Sequence, residues 1–557
     1  MVLAERTGVP PATLGDHAWW RGAAIYEIYP RSFVDASGDG TGDLAGVRAR
    51  LAYLRDLGVD AVWFTPWYPS PMADGGYDVA DYRSIDPAIG DLGEAEQLIV
   101  EARALGIRTI VDVVPNHVSD QHPWFRAALA AGPGSPERAR FWFRPGRGPD
   151  GEQPPNAWVS EFGGPAWSRS TEPDGSPGEW YLHLFAPGQP DLNWDHPEVR
   201  DEHEDVLRFW FDRGVAGIRI DSAALLVKDP ALPEVADHHA PGQHPYVDRD
   251  ELQDIYRSWR AVADSYDDDR ALIGELWLPE AERFARYLRP DVLNSAFNFD
   301  FLVCPWDSAR LRASIGQTMA MHREVGAPAT WVLSNHDVTR PVTRYGRADT
   351  SFSFDAKRYG TPTDLHLGLR RARAAALLAM ALPGCVYLYQ GEELGLPEVE
   401  DIPRGLLQDP MHFRSEGVDP GRDGCRVPLP WSGSAPPYGF SPGAAAEPPW
   451  LPQPADWAGL TVAAQEGDPE STLSLYRDGL ALRRELPTLG DGPMTWLESA
   501  PEVLSFARGP DFACVVNLGL EPVALPDHDH VLLSSAALKG GRLPADTAAW
   551  LRISAPG

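Results

Sequence analysis

Short apolar runs rich in β-branched and aromatic residues recur along the chain, and between them apolar positions return at helical spacing. The runs are "AIYEIYP" (24–30), "AVWFTP" (61–66), "TIVDVVPNH" (109–117), "GIRID" (217–221), "LIGELW" (272–277), "NSAFNFDF" (294–301), "WVLSNHD" (331–337) and "CVYLYQGEE" (385–393). Their length and composition predict strands. The stretches "VRARLAYLRDLG" (47–58) and "EAEQLIVEARALG" (94–106) each finish on a glycine, as a helix C-terminus does. Strand followed by helix, eight times over, predicts an α/β fold, a (β/α)8 TIM barrel.

Two intervals are too long for a simple crossover. Residues 118–188, rich in Gly, Pro, Trp and Ser, follow strand 3, and residues 396–455, with "PGRDGCRVPLPW" and "GSAPPYGFSPG", follow strand 8. Both read as excursions over the barrel mouth. Near the end, "VLSFARG", "FACVVNLG" and "HVLLSS" alternate between apolar and polar, with turn residues between them. The expected division is therefore barrel over 1–117, a loop-rich inserted domain over 118–188, barrel again over 189–480 with the excursion 396–455, and a C-terminal antiparallel β domain over 481–557.

Charge narrows the ligand classes. Across 557 residues, 49 Lys+Arg stand against 80 Asp+Glu, a formal charge of -31, which disfavours nucleic acid and anionic membrane surfaces and favours neutral or cationic ligands. No run approaches the roughly 20 apolar residues that span a bilayer, and the N-terminus lacks a basic segment followed by an apolar one. Cys304, Cys385, Cys425 and Cys514 are scattered without a CxxC, which fits a reducing compartment, so a cytoplasmic protein is expected. The oligomeric state is not written in this pattern.

Chemistry collects at the C-terminal ends of the predicted strands, where a barrel builds its active site. Asp112, Asn116 and His117 follow strand 3, Arg219 and Asp221 end strand 4, Glu275 ends strand 5, and His336 and Asp337 end strand 7. Residues two apart in a strand share a face, so Arg219 and Asp221 aim into one space. Acids converging without a cluster of metal-ligating residues point to carboxylate chemistry at a glycosidic bond. Arg219 would hold Asp221 ionised as nucleophile, while Glu275, flanked by Leu276 and Trp277, would be raised by desolvation and stay protonated as the acid.

"DVVPNH", "GIRID", "GELW" and "SNHD" resemble, in order, four sequence regions of the α-amylase superfamily, glycoside hydrolase family 13. "QPDLNW" (189–194), "SEFGGPAW" (160–167) and "GRDGCRVPLPW" (421–431) resemble signatures of its α-glucosidase and oligo-1,6-glucosidase branch. The resemblance implies a retaining mechanism with Asp221 as nucleophile, Glu275 as acid/base and Asp337 gripping sugar hydroxyls. It further implies that Tyr77 stacks on the terminal glucose and that His117 and His336 bind its hydroxyls. Phe162, Phe185 and Gln189 would line the pocket, and Asp74 with Arg426 would close its blind end, making the enzyme exo-acting.

"DASGDGTGD" (35–43) alternates oxygen donors around a glycine-rich turn: Asp35, Ser37, Asp39, Asp43 and the Thr41 carbonyl. It resembles the family's metal loop, with Ser37 where the family usually has Asn, and implies structural calcium, or magnesium in its place. Linkage preference rests on Ser222: the branch tends to carry Val there when α-1,6 bonds are preferred, so Ser222 leans toward maltose and short α-1,4-glucosides. Oligo-1,6-glucosidase, sucrose hydrolase, trehalose-forming isomerase and glucosyl transfer use the same acids and remain alternatives. A silent sugar-binding scaffold would be expected to lose one of the three acids, and all are present.

Overall fold

The computed structural model describes residues 18–443 and 445–554. Eight parallel strands form one sheet: β1 (Ala24–Ile28), β2 (Ala61–Phe64), β3 (Arg108–Val113), β4 (Gly217–Ile220), β5 (Ala271–Gly274), β6 (Ser295–Ala296), β7 (Thr330–Val332) and β8 (Cys385–Tyr389). The sheet order is β7-β8-β1-β2-β3-β4-β5-β6. Between the two outermost strands, Ser295 Oγ lies 2.9 Å from Thr330 Oγ1, so a side-chain hydrogen bond bridges β6 and β7. This is the predicted barrel.

The strands are buried on both faces because helices cover the outside and side chains fill the inside. One apolar cluster of the interior combines Ile25, Ala61, Trp63, Ile110, Ala271, Ile273, Cys385 and Tyr387. At the next inward positions Glu27, Asp112 and Arg219 replace apolar residues, still buried. Asp112 is the register partner of Arg219 across β3 and β4, so one polar layer caps an apolar floor.

Every predicted strand is too long at its C-terminal end. β4 stops at Ile220, one residue before Asp221, and β5 stops at Gly274, one before Glu275. The run 294–301 holds only two strand residues before turning into a helix at Phe299–Val303. The same apolar composition serves a strand inside the barrel and the loop that folds back over its mouth.

The helices follow local chemistry. The stretch 47–58 is not one helix but two, α1 (Leu44–Ala49) and α2 (Leu51–Leu57), broken at Arg50, whose φ and ψ are -112° and 8°. Helix α3 (Leu92–Ala104) starts on a reciprocal cap, the Asp91 carboxylate accepting from the Glu94 amide while Glu94 accepts from Asp91. The insertion after β3 carries a three-stranded antiparallel sheet of Phe143–Arg144, Trp167–Thr171 and Pro177–Leu182. The excursion 396–455 is mostly irregular, with one short helix at Pro410–Arg414.

Helix α4 (Thr472–Glu485) runs across the boundary expected at residue 480. The C-terminal sheet begins only at Thr495 and comprises Thr495–Trp496, Val503–Arg508, Phe512–Asn517, Thr547–Arg552 and His530–Ser534 in that order, all antiparallel. Trp550 anchors it to the barrel by donating to the Leu377 carbonyl at 3.0 Å. Among the described residues no helix is long and apolar enough to cross a membrane.

Candidate active site

Arg219 organises the site. Its Nη1 donates to Asp221 Oδ1 at 2.6 Å and to both oxygens of Asp112 at 3.0 Å, and its Nη2 lies 2.8 Å from Glu275 Oε2. One buried guanidinium thus holds three carboxyl groups. The fork reaches the acid as well as the nucleophile. It also sets the two functional carboxyls on neighbouring nitrogens of one rigid group, which fits the close pair of a retaining glycosidase, about 5–5.5 Å apart.

The two acids are separated by their other neighbours. Glu275 is raised to about 7, chiefly by burial, with the charges of Asp221 and Asp337 adding to the effect against Arg219. Asp221 is also pushed up by burial, but Arg219 and the Ser222 hydroxyl, which donates to its Oδ2 at 2.8 Å, hold it down. Burial acts against Asp337 too, yet its pKa is lowered. Its Oδ1 accepts from Arg426 at 2.7 Å and Arg422 at 3.1 Å, and these permanent cations keep it ionised. Asp337 is thus the most firmly ionised of the three, and Glu275, at about 7, is poised to carry a proton near neutral pH.

Ser222 does more than leave space beside the nucleophile. Its hydroxyl faces Asp221, its amide donates to Glu275 Oε2 at 3.0 Å, and its φ is +47°. A β-branched Val would be strained in that conformation and would lose the hydroxyl. Ser222→Ala keeps the backbone and removes only the donor. It is expected to lower kcat/KM about tenfold and to move the acidic limb of the pH profile upward, since the lost bond favoured ionised Asp221. A pH–rate profile checks this.

Beside the acids lies a small wall of rings and polar groups. Tyr77 stacks on His336, centroids 5.2 Å apart at 11°, and its hydroxyl donates to Asp112 at 3.1 Å. His336 Nδ1 bonds the buried Glu27 carboxyl, and its Nε2 lies 3.4 Å from Asp337 Oδ2, so Nε2 must carry hydrogen toward that ionised group. His117 is lowered to about 4 by burial and is neutral at pH 7. Its Nδ1 is 3.1 Å from the Asn116 amide nitrogen, because the Asn116 oxygen takes Lys228 Nζ at 2.5 Å. Phe185 packs against both His117 and Phe162, at 4.9 and 5.3 Å, and Gln189 donates to Asp74 at 3.1 Å.

The blind end is built differently from expectation. Asp74 pairs with Arg422, Oδ1 to Nη2 at 2.6 Å, not with Arg426. Arg426 instead turns to Asp337 and to the His336 carbonyl, 2.8 Å away. The reason is spacing: both arginines sit in "GRDGCR", but the turn at Asp423–Cys425 sends them to different partners, and Asp409 fastens Arg422 through Nε at 2.6 Å. Gly75, with φ +59°, lets this wall close, since a Cβ there would stand 2.7 Å from the Tyr29 hydroxyl and 3.2 Å from Arg426 Nη1. Asp74 is raised to about 6, by burial first, despite both arginines.

Buried acids, a protonated partner and a wall closing one end make a glycosidase site, and comparison with known proteins decides the lineage. Residues 27–492 match the α-amylase catalytic domain. The chain belongs to the α-amylase family. Among its relatives, a probable α-glucosidase of Rhizobium meliloti is 39% identical over 515 residues, covering 88% of this chain and 87% of its own. An oligo-1,6-glucosidase of Parageobacillus thermoglucosidasius is 33% identical, covering 92% and 93% respectively. The crystal structure of an α-glucosyl transfer enzyme superposes with a TM-score of 0.82 at 34% identity, covering 96% of this chain and 99% of that one. As an α-amylase-family glycosidase, the protein carries Asp221, Glu275 and Asp337 together on the barrel mouth.

Several residues of this α-amylase-family site escaped the sequence. Arg422 lies within "GRDGCR", and its spacing four before Arg426 is the signal the sequence offers. Asp409, Glu27 and Lys228 gave none. Lys228, fully buried, bonds Asp191 at 2.7 Å as well as Asn116, and so braces His117 from behind.

The loop 35–43 folds around its own amides. Asp35 accepts from Ser37 Oγ at 3.1 Å and from the amides of Gly38 and Gly40 at 2.6 and 3.0 Å. Asp43 accepts from Ala36, Ser37 and Gly46, capping α1, and Asp39 accepts from the Thr41 amide at 2.9 Å. Among the described residues no group of three His, Cys, Asp or Glu is gathered closely enough to hold a metal as the side chains stand. The donor set is nonetheless oxygen throughout, which suits a hard cation.

Proposed function

We propose that the protein is a retaining, exo-acting α-glucosidase that releases α-glucose from the non-reducing end of maltose and short α-glucosides. The observation that carries this reading is the combination of Asp221 and Glu275 on one guanidinium with a wall closed by Asp74 and Arg422. Asp221 attacks the anomeric carbon while Glu275 protonates the departing oxygen. The glycosyl-enzyme then yields to water activated by Glu275, now a base. Asp337, ionised between two arginines, grips hydroxyls of the ring as it flattens. Transfer to a sugar or alcohol in place of water uses the same intermediate, and the α-glucosyl transfer enzyme among the structural neighbours supports it as a second outcome.

A preference for α-1,4 over α-1,6 bonds of about tenfold to a hundredfold is part of the proposal, supported by Ser222 in place of Val. A time-resolved panel of maltose, isomaltose, sucrose, trehalose, starch and p-nitrophenyl α-glucoside tests the reading. Maltose and the aryl glucoside should be cleaved fastest, with starch poor. An early fall in starch viscosity before glucose accumulates would overturn the closed pocket, and faster isomaltose cleavage would overturn the linkage preference.

Calcium, or magnesium, is proposed as a structural ion on Asp35, Ser37, Asp39, Asp43 and the Thr41 carbonyl, supported by the alternation of oxygen donors around the turn. Saturating calcium should raise Tm by several degrees over chelated protein, an effect Asp39→Ala should remove. Identical melting curves with calcium and chelator would dismiss the ion. A cytoplasmic setting is proposed too, supported by four buried cysteines, all free.

A further inference from the structure

Glu275 has two oxygens, and their environments differ. Oε2 accepts from the Ser222 amide at 3.0 Å and lies 2.8 Å from Arg219 Nη2, so donors already occupy it. The acidic proton must therefore sit on Oε1. Among the described residues Oε1 has one protein donor, the indole N–H of Trp277 at 3.1 Å. A hydroxyl oxygen that accepts along one direction keeps the other for its own hydrogen, so this bond decides where the proton points.

Trp277 is held for that task. Its ring lies flat on Phe299, centroids 3.7 Å apart at 3°, and Phe354 meets it edge-on at 5.2 Å. It is nonetheless 37% exposed, so burial alone does not account for its place. We propose that Trp277 is a positioning residue for the acid: its indole N–H fixes the Glu275 carboxyl and aims the proton on Oε1 at the glycosidic oxygen.

The proposal rests on Glu275 being the acid. The charged groups facing Glu275 are Arg219 and Asp221 from the end of β4, Asp337 from the loop after β7 and Asp112 from β3. None of them bonds Oε1. An N–H donated to Oε1 favours the ionised form modestly, so its loss raises the pKa of the acid.

Trp277→Phe keeps the stack and removes the N–H. With maltose, kcat should fall about 5- to 30-fold, and the alkaline limb of kcat/KM should move up by about half to one pH unit. An aryl glucoside with a good leaving group should lose less than about threefold, because it hardly needs the proton. In a Glu275→Gln background, Trp277→Phe should cost less than about twofold, since the two act through one atom. Phe299→Leu, which loosens the ring but spares the N–H, should shift the same limb less. An unmoved alkaline limb in Trp277→Phe, equal losses for both leaving groups, or a full multiplicative loss in the Glu275→Gln background would overturn the proposal. If Glu275→Gln itself shows no dependence on the leaving group, the assignment of the acid fails, and that result is read before any Trp277 variant.

Discussion

Asp221→Asn is expected to lower turnover of every α-glucoside by roughly 10⁴-fold or more, and Glu275→Gln to slow maltose by about 10²- to 10⁴-fold while sparing activated aryl glucosides far more. An amide at 221 cannot form the glycosyl ester, whatever the leaving group. An amide at 275 withholds the proton from the first step and the base from the second, but a nitrophenolate leaves without a proton, so kcat/KM on the aryl glucoside, which reports the first step, is the quantity spared. The pH dependence follows from the same two groups. Glu275, raised to about 7, must be protonated for the first step, so kcat/KM on maltose should fall as pH rises through about 7. Asp221 must be ionised, so activity should also fall on the acidic side. Glu275→Gln should erase the alkaline limb and leave the acidic one. Steady-state kinetics on maltose and p-nitrophenyl α-glucoside across pH 4–9 checks both variants.

The second large effect concerns the blind end of the pocket. Arg422 is buried and is shared by Asp74, Asp337 and Asp409. Arg422→Leu strips three carboxyl groups of a common cation, and breaking such a buried set costs about 3–5 kcal/mol. Asp337 retains Arg426, so chemistry should survive at a reduced level, with kcat/KM down roughly 10²- to 10³-fold and Tm lowered. A double-mutant cycle separates the two arginines. Asp74→Asn with Arg422→Leu should show a coupling of about 1–3 kcal/mol, whereas Asp74→Asn with Arg426→Leu, a pair that interacts without a direct bond, should show clearly less. Measured kcat/KM and denaturant midpoints supply both cycles, and strong coupling to Arg426 would restore the pairing first expected.

What the sequence conveys here depends on how local its cause is. The barrel is legible because each strand must be apolar on both faces and each crossover must be helical, a pattern repeated along most of the chain. The three acids are legible because strand ends deliver them to one place. Strand limits are less so: "GELW" reads as continuous strand, yet β5 stops at Gly274 so that Glu275 and Trp277 can curl over the mouth. Contacts between distant loops are not legible at all. Arg422 finds Asp74, 348 positions earlier, only through the path of the excursion after β8. Ser222 stands out in the sequence for its size, but its positive φ and the bond from its amide to Glu275, 53 positions later, belong to the fold.

The stereochemistry of the first product tests the whole account most directly. Proton NMR of maltose hydrolysis, recorded before mutarotation equilibrates the anomers, should show α-glucose appearing first. That is what two displacements at Asp221 require, with Glu275 close by on the same guanidinium. β-Glucose as the first product would mean a single displacement by water, and Asp221 would then not be the nucleophile.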